Sequence, residues 1–535
     1  MTYTPDRRSV LTMALAGGSA MMLPKLANAA VTAFKQGVAE AASSDDDLAR
    51  FYREANYAPI WTGESDAERR SSFLNALHLA ADHGLPSVRY THEAFVRLFS
   101  DVDSARSRGF AEVEASRMYL TYARDMQSGA IENPLAVDEG IVRALPRRDR
   151  VELLKTVAGP TPEATIRSLI PTDPRYTRLL KVKMELERAL SDGGWGPVVR
   201  ANSLRAGDSG APVVGLRNRL IQMGYLSRST TATYDTALER AVQTFQIDHG
   251  LEADGAAGAA TMRAINTEPL QRLQSVIVGL ERERWINFEE GLGARHIFVN
   301  IADFHVQIYD DNKVTFETRS VVGRARIDKR TPEFSDQMEH MVINPTWYVP
   351  RSIATKEYLP NMQRNPNAHG YLRLVDGRGR EVSRSSINFS RYTERNFPFD
   401  MRQPPSNRNA LGLVKFMFPN RHNIYLHDSP AKNLFDREVR TYSSGCVRLA
   451  KPFDFGYEIL ARQEADAETY FQSILRTGEE TQVNLNENVP VHITYCTAWV
   501  PPKGRAQYRD DIYGRDAALW SAMARAGVAL RAVQS

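Results

Sequence analysis

Cys446 is one of two cysteines in a chain of 535 residues, and it stands in the turn-forming run Tyr442-Ser443-Ser444-Gly445-Cys446-Val447-Arg448. A Ser/Gly turn can expose a thiol and aim neighbouring backbone N–H groups at a reacting carbonyl oxygen. The thiolate is the nucleophile, and a free thiol is mostly protonated at neutral pH, so the chemistry needs a base. His427 lies nineteen positions upstream, in the strand-like run Tyr425-Leu426-His427-Asp428, and can be brought alongside. Together they suggest a cysteine acyl-transfer site: Cys446 as nucleophile, His427 as general base and later proton donor, and the N–H groups of Gly445 and Cys446 as oxyanion donors. Gly445 suits such a turn because it adopts backbone angles closed to other residues.

The neighbours of this pair supply a candidate binding set. Arg448 follows the thiol by two residues and in extended backbone shares its face. It either binds a substrate carboxylate or steadies the loop through carbonyls. Tyr425 shares the face of His427 and is expected to line the cleft. Ser443, Ser444 and Trp347 complete the set, although Ser443 also reads as a turn-stabilising hydroxyl and Trp347-Tyr348 as core. Asp428 is adjacent to His427, and adjacent strand residues point to opposite faces, so a backbone carbonyl is the expected orienter of the imidazole. His305 and His422 read as structural.

Other chemistries lack their motifs. The chain has no His-Glu-x-x-His and no Cys-x-x-Cys, and its two cysteines lie fifty residues apart, so no metal site is expected. A Gly-x-Ser-x-Gly elbow and a Gly-rich phosphate loop are also missing. The simplest expectation is cofactor-free catalysis. Cys496, in the alternating run Val491 to Thr497, reads as a buried core residue rather than a disulfide partner.

These residues resemble the catalytic signature of the L,D-transpeptidases, the YkuD-type cysteine enzymes that cross-link peptidoglycan. That signature is a His, a gap, then Ser/Thr-x-Gly-Cys followed one residue later by Asn or Arg. His427, Ser443, Gly445, Cys446 and Arg448 match it, and this motif position selects His427 among the eleven histidines. Ser444 stands where many members carry a second His. The runs Arg402-Gln403-Pro404-Pro405, Asn409-Ala410-Leu411-Gly412 and Lys415 to Asn420 are similar to the large, multidomain periplasmic branch found in Gram-negative bacteria. The resemblance implies that Cys446 attacks the carbonyl after the third residue of a tetrapeptide stem and expels D-alanine. The thioester is then passed to the side-chain amine of a neighbouring stem, joining two third-position residues. It also implies acylation of the thiol by carbapenem-type β-lactams, and stem peptides and glycan strands as partners. Water or another amine as acceptor would make an L,D-carboxypeptidase or a different transferase, and an inactive wall-binding scaffold is the alternative outside enzymes.

The elements that must position this site imply a multidomain α+β fold. Residues 46–195 show helical periodicity and resemble the scaffold domain of the large L,D-transpeptidases. Residues 203–268 resemble a three-helix peptidoglycan-binding module, with helices expected over 213–223 and 235–249; the alternative is a bundle with no sugar affinity. Leu270 to Trp285 reads as a connecting helix. Residues 290–501 are the catalytic domain, mainly β, which the resemblance places in a sandwich-like fold, with a capping insertion over 350–401. A last strand is expected over 489–500, and 502–535 reads as a C-terminal tail.

Residues 1–29 read as a twin-arginine signal peptide, with Arg7-Arg8, an apolar stretch and Ala27-Asn28-Ala29 at the cleavage position, although an N-terminal anchor is the alternative. A periplasmic protein with no transmembrane segment in the mature chain is expected. The formal charge is +4, falling to +2 without those residues, which leaves no electrostatic footprint for nucleic acid.

Overall fold

The computed structural model describes residues 32–530, so the expected signal peptide lies outside the described residues. The N-terminal region is helical, from Ala33–Ala42 to Pro174–Ser191. Capping residues set its helix starts: the side chains of Thr32, Asp45, Thr91, Ser104 and Asp149 each accept a first-turn N–H. The longest helix, Ala105–Ser128, begins seven residues before the periodicity that marks 112–126, because its first turns are polar and largely exposed. Its buried Glu112 organises the preceding loop. The carboxylate accepts the N–H of Ile60 at 2.7 Å and of Thr62 at 2.9 Å, the Thr62 hydroxyl at 2.8 Å and the Tyr52 hydroxyl at 3.0 Å. That loop delivers Trp61 into the aromatic core beside Phe73, Phe95 and Tyr119.

Three further helices, Ala211–Gln222, Thr236–Asp248 and Ala259–Ile265, close on a small core of their own that includes Val213, Leu216, Leu238, Val242, Phe245 and Ile265. The connecting helix Pro269–Trp285 then runs through the middle of the molecule. It is buried on nearly every side, Glu281, Arg282, Glu283 and Arg284 included. Its neighbours are Pro174–Ser191, the short strand Ala498–Trp499 and a helix near the C-terminus, Arg515–Arg525. The segment expected to be a tail is therefore structural. Leu519 and Met523, one helical turn apart, and Val528 pack with Leu273, Ile277 and Trp285 in one core cluster.

The region between Arg295 and Thr494 contains a nine-stranded sheet. Its spatial order is Thr441–Ser443, Lys313–Gly323, Val447–Leu449, Leu426–His427, Val414–Met417, Phe334–Ile343, Thr481–Thr494, Arg295–Asn300 and His305–Asp310. Lys313–Gly323 also pairs with His305–Asp310, which closes the sheet on itself around a core that includes Ile297, Val306, Met338, Phe416, Leu426 and Val447. The last long strand starts at Thr481 and ends at Thr494, earlier than the expected 489–500. Its first half, rich in Asn and Glu, is largely exposed, and only Val483 and Leu485 continue the apolar alternation of its second half.

The insertion is a folded unit. Trp347–Tyr348, Asp400–Gln403, Arg373–Val375 and Glu381–Val382 form a four-stranded sheet. This sheet and the helix Leu359–Arg364 enclose a second apolar cluster, against which Tyr425 packs. The insertion is tied to the body by an ion pair between Lys329 and Glu357 at 2.7 Å. Among the described residues no helix is long and apolar enough to cross a membrane.

Candidate active site

Two short parallel strands bring the sequence-predicted residues together. Leu426 pairs with Val447 and His427 with Arg448. Leu426 and Val447 are both fully buried in the core. Side chains alternate along a strand and align across a paired register, so Tyr425, His427, Cys446 and Arg448 project together from the opposite face. The rings of Tyr425 and His427 meet edge to face, with centroids 5.6 Å apart. The insertion covers this face: Tyr425 packs in its core, and Tyr358 is close enough to feel the charge of Arg448.

Burial sets the electrostatics of the pair. It pushes the Cys446 thiol up to about 11, against smaller lowering effects from the Tyr425 backbone and hydroxyl and from Arg448. Burial, with Arg448 beside it, holds His427 down at about 3. Both shifts favour the neutral forms of thiol and imidazole, and the partly exposed thiol donates to the Asn423 carbonyl at 3.4 Å. The Tyr425 phenol is held well above 10, first by burial and then by the nearby thiol.

The imidazole Nδ1 is buried and has no hydrogen-bond partner among the described residues, although the backbone carbonyls of Asp428 and Leu411 favour the charged ring. The Asp428 carboxylate is engaged elsewhere. It accepts the N–H of Leu413 at 2.9 Å and of Ser429 at 2.6 Å, and pairs with Lys432 at 2.6 Å. The Arg448 side chain makes neither an ion pair nor a hydrogen bond among the described residues, and its buried Nε is unpartnered.

Three of the expected roles are corrected. The Gly445 N–H donates to Ser443 Oγ at 3.0 Å, so it is not free to serve as an oxyanion donor. Gly445 instead supplies geometry, with φ at +125° in the region that side chains disfavour and Ile424 Cδ1 3.2 Å from where a Cβ would stand. Ser443 is buried, and its hydroxyl both accepts that N–H and donates to the Cys446 carbonyl at 2.6 Å. It stabilises the turn and has no face toward a substrate. Trp347 is only 7% exposed, packed in the core of the insertion where it acts on the Tyr425 hydroxyl, so it backs the cleft wall rather than lining it. Ser444 is exposed beside the thiol, and the Cys446 N–H makes no hydrogen bond among the described residues.

Sequence reasoning missed Thr331. Its buried hydroxyl donates to the Gly445 carbonyl at 2.7 Å. A Thr-Pro pair between two strands carries no local signal of such a contact. Both cysteines are free thiols. Among the described residues no group of three or more His, Cys, Asp or Glu side chains is arranged to hold a metal ion.

Three known domain families match successive parts of the chain. Residues 294–493 match the L,D-transpeptidase catalytic domain of the YkuD family. Residues 46–182 match the Scaffold domain, and 209–265 match the "Putative peptidoglycan binding domain". A "Putative L,D-transpeptidase" of Haemophilus influenzae is 34% identical over 223 residues, a stretch that spans 41% of this chain and 44% of that relative's length. Among solved structures, an L,D-transpeptidase fragment from Xylanimonas cellulosilytica is 13% identical with a TM-score of 0.18, covering 56% of this chain and 100% of its own. An L,D-transpeptidase from Stackebrandtia nassauensis is also 13% identical with a TM-score of 0.23, covering 56% and 97%. Matches to a Scaffold domain, a peptidoglycan-binding domain and a YkuD L,D-transpeptidase catalytic domain thus follow one another along the chain, which spans less than half the length of the curated relative it matches.

Proposed function

We propose that the protein is an exported peptidoglycan L,D-transpeptidase that joins the third-position residues of two stem peptides through a Cys446 thioester. The observation that carries this reading is the shared face of Tyr425, His427, Cys446 and Arg448, with Arg448 left without an acidic partner among the described residues. An unpaired guanidinium beside the nucleophile suits a substrate that brings its own carboxylates, as a stem peptide does.

In this mechanism the neutral imidazole takes the thiol proton, and the thiolate attacks the carbonyl after the third residue of the donor. The Cys446 N–H, free of other partners among the described residues, receives the oxyanion. Collapse breaks the bond to D-alanine, whose amine takes the proton from His427, and leaves the thioester. The acceptor amine then attacks, gives its proton to His427, and the thiolate leaves and is reprotonated. Uncovering the cleft weakens the burial that holds the pair neutral, raising His427 and lowering Cys446 toward each other, so movement of the insertion would activate both. The helical module over residues 211–265 would hold the glycan strand while the cleft works on its peptides.

The test is mass spectrometry of purified tetrapeptide muropeptides incubated with the protein and with Cys446→Ala. Cross-linked dimer that disappears in the variant is the expected result. Tripeptide without dimer would make the protein an L,D-carboxypeptidase. No turnover, from a thiol that a carbapenem also leaves untouched, would refute acyl transfer.

A further inference from the structure

We infer that Thr331 is a positioning residue for the nucleophile turn, acting through the peptide that joins Gly445 to Cys446; the inference rests on the reading of Cys446 as the acylated residue. Thr331 is fully buried, and its hydroxyl lies between two backbone groups. It accepts the Gly323 N–H at 2.9 Å and donates to the Gly445 carbonyl at 2.7 Å. A hydroxyl has one proton to give, and the Gly323 N–H can only donate, so the Thr331 proton is committed to Gly445.

The consequence follows from the geometry of a trans peptide, in which the C=O and the N–H point in opposite directions. The Gly445 carbonyl and the Cys446 N–H belong to the same rigid plane. Pinning the carbonyl onto Thr331 aims the Cys446 N–H away from Thr331, and that N–H has no acceptor among the described residues. The plane on the other side of Cys446 is fixed as well, by Ser443 Oγ on the Cys446 carbonyl at 2.6 Å. Gly445, with φ at +125°, lacks the side-chain restraints that would otherwise hold such a turn. The Thr331 bond supplies the restraint that glycine omits.

Thr331 is itself gripped from behind by two distant parts of the chain. Its carbonyl accepts from Arg515 at 3.0 Å, and the Arg515 guanidinium also pairs with Asp138 at 3.2 Å and Glu333 at 3.4 Å. The Glu333 N–H donates to the Gly140 carbonyl at 2.7 Å, and the Val142 N–H donates to the Glu333 carbonyl at 3.1 Å. The Tyr513 hydroxyl donates to the Gly323 carbonyl. The helical region and the C-terminal helix thus hold the segment that holds the turn.

The experiment compares two reagents on the full chain and on Thr331→Val, Thr331→Ala and Thr331→Ser. Acylation of Cys446 by a carbapenem forms an oxyanion, whereas alkylation by iodoacetamide does not. Loss of an aligned oxyanion donor slows catalysis by about 100-fold or more, so a misaimed one in Thr331→Val should slow acylation by roughly 10- to 100-fold. Iodoacetamide should still react within about threefold of the unsubstituted rate, because displacement at a methylene develops no oxyanion. Thr331→Ser keeps the hydroxyl and should restore acylation. Thr331→Ala removes the hydroxyl without crowding and should show the same split if the valine variant does not fold. Acylation at the unsubstituted rate in both hydroxyl-free variants, or equal slowing of both reagents, would overturn the inference. If the unsubstituted chain is alkylated but never acylated, the acyl-transfer reading falls first and takes this inference with it.

Discussion

The neutral state of the resting thiol can be read directly from its alkylation rate. The Cys446 thiol is pushed from its ordinary 9.0 up to about 11 by burial, while His427 is held at about 3. At neutral pH a rise of about two units leaves about 100-fold less thiolate than an ordinary cysteine has. A more basic thiolate is intrinsically more nucleophilic, with a Brønsted slope of about 0.4–0.5, which returns a factor of roughly 6–10. The net expectation is alkylation about tenfold slower than that of the same cysteine in the unfolded chain, before any steric cover is counted. The rate should also climb about tenfold per pH unit from about pH 6 to about pH 10 without a plateau, because the thiolate fraction does. Pulse labelling with iodoacetamide and peptide mass spectrometry measures this, with the denatured protein as reference. Cys496, buried and pushed up to about 12, is an internal control that should lag further. A plateau with a midpoint below about pH 8, or native labelling faster than denatured, would mean a preformed thiolate–imidazolium pair, and the burial argument would fail.

Three further outcomes are expected. The folded chain disfavours charged His427, whose value falls from 6.5 to about 3, so the unfolded chain binds the proton first as pH drops. The unsubstituted protein should therefore lose stability relative to His427→Gln below about pH 6.5, by about 2 kcal/mol at about pH 5, and a pH-independent difference in urea unfolding would contradict this. Arg515→Ala leaves Asp138 and Glu333 without this partner and should cost about 3–5 kcal/mol in the same assay; Arg515→Lys should recover only part of it, because an ammonium cannot span the three acceptors. Glu112→Ala orphans the N–H groups of Ile60 and Thr62, at about 1–3 kcal/mol for each buried donor. Limited proteolysis should then cut first near Trp61, and an unchanged digestion pattern would count against the role given to Glu112.

What the sequence made legible was local in the chain. Cys446, Gly445 and Arg448 are contiguous, and the face shared by His427 and Tyr425 follows from alternation along one strand. Ser443 and Trp347 were harder, because a serine hydroxyl or an indole reads the same whether it faces a ligand or the protein interior. The Gly445 N–H looked free for the same reason, since its acceptor is a side chain two residues away whose rotamer the sequence does not specify. Thr331 was out of reach: it meets Gly445 across 114 residues of chain, and Tyr513 meets Gly323 across 190. The C-terminal helix did leave a trace, with Leu519 and Met523 spaced one turn apart after Gly514, but its Arg- and Ala-rich surface resembles a solvated tail until Arg515 finds its acid partners.

The central core cluster has a consequence for how the chain is made. It gathers Ile131 and Tyr176 from the helical region, Leu273 to Trp285 from the connecting helix, and Ala498 to Val528 from the last part of the fold. Trp285 and Leu519 are separated by 234 residues. At a synthesis rate of about 5–20 residues per second, the connecting helix waits roughly 10–50 s for its final wall. During that interval Ile277 and Trp285 lack their closing surface, and Arg282 lacks the Asp516 carboxylate that pairs with it. A ribosome that stops after Arg448 has already delivered Tyr425, His427 and Cys446, yet the nascent chain still presents this open apolar seam to chaperones and proteases.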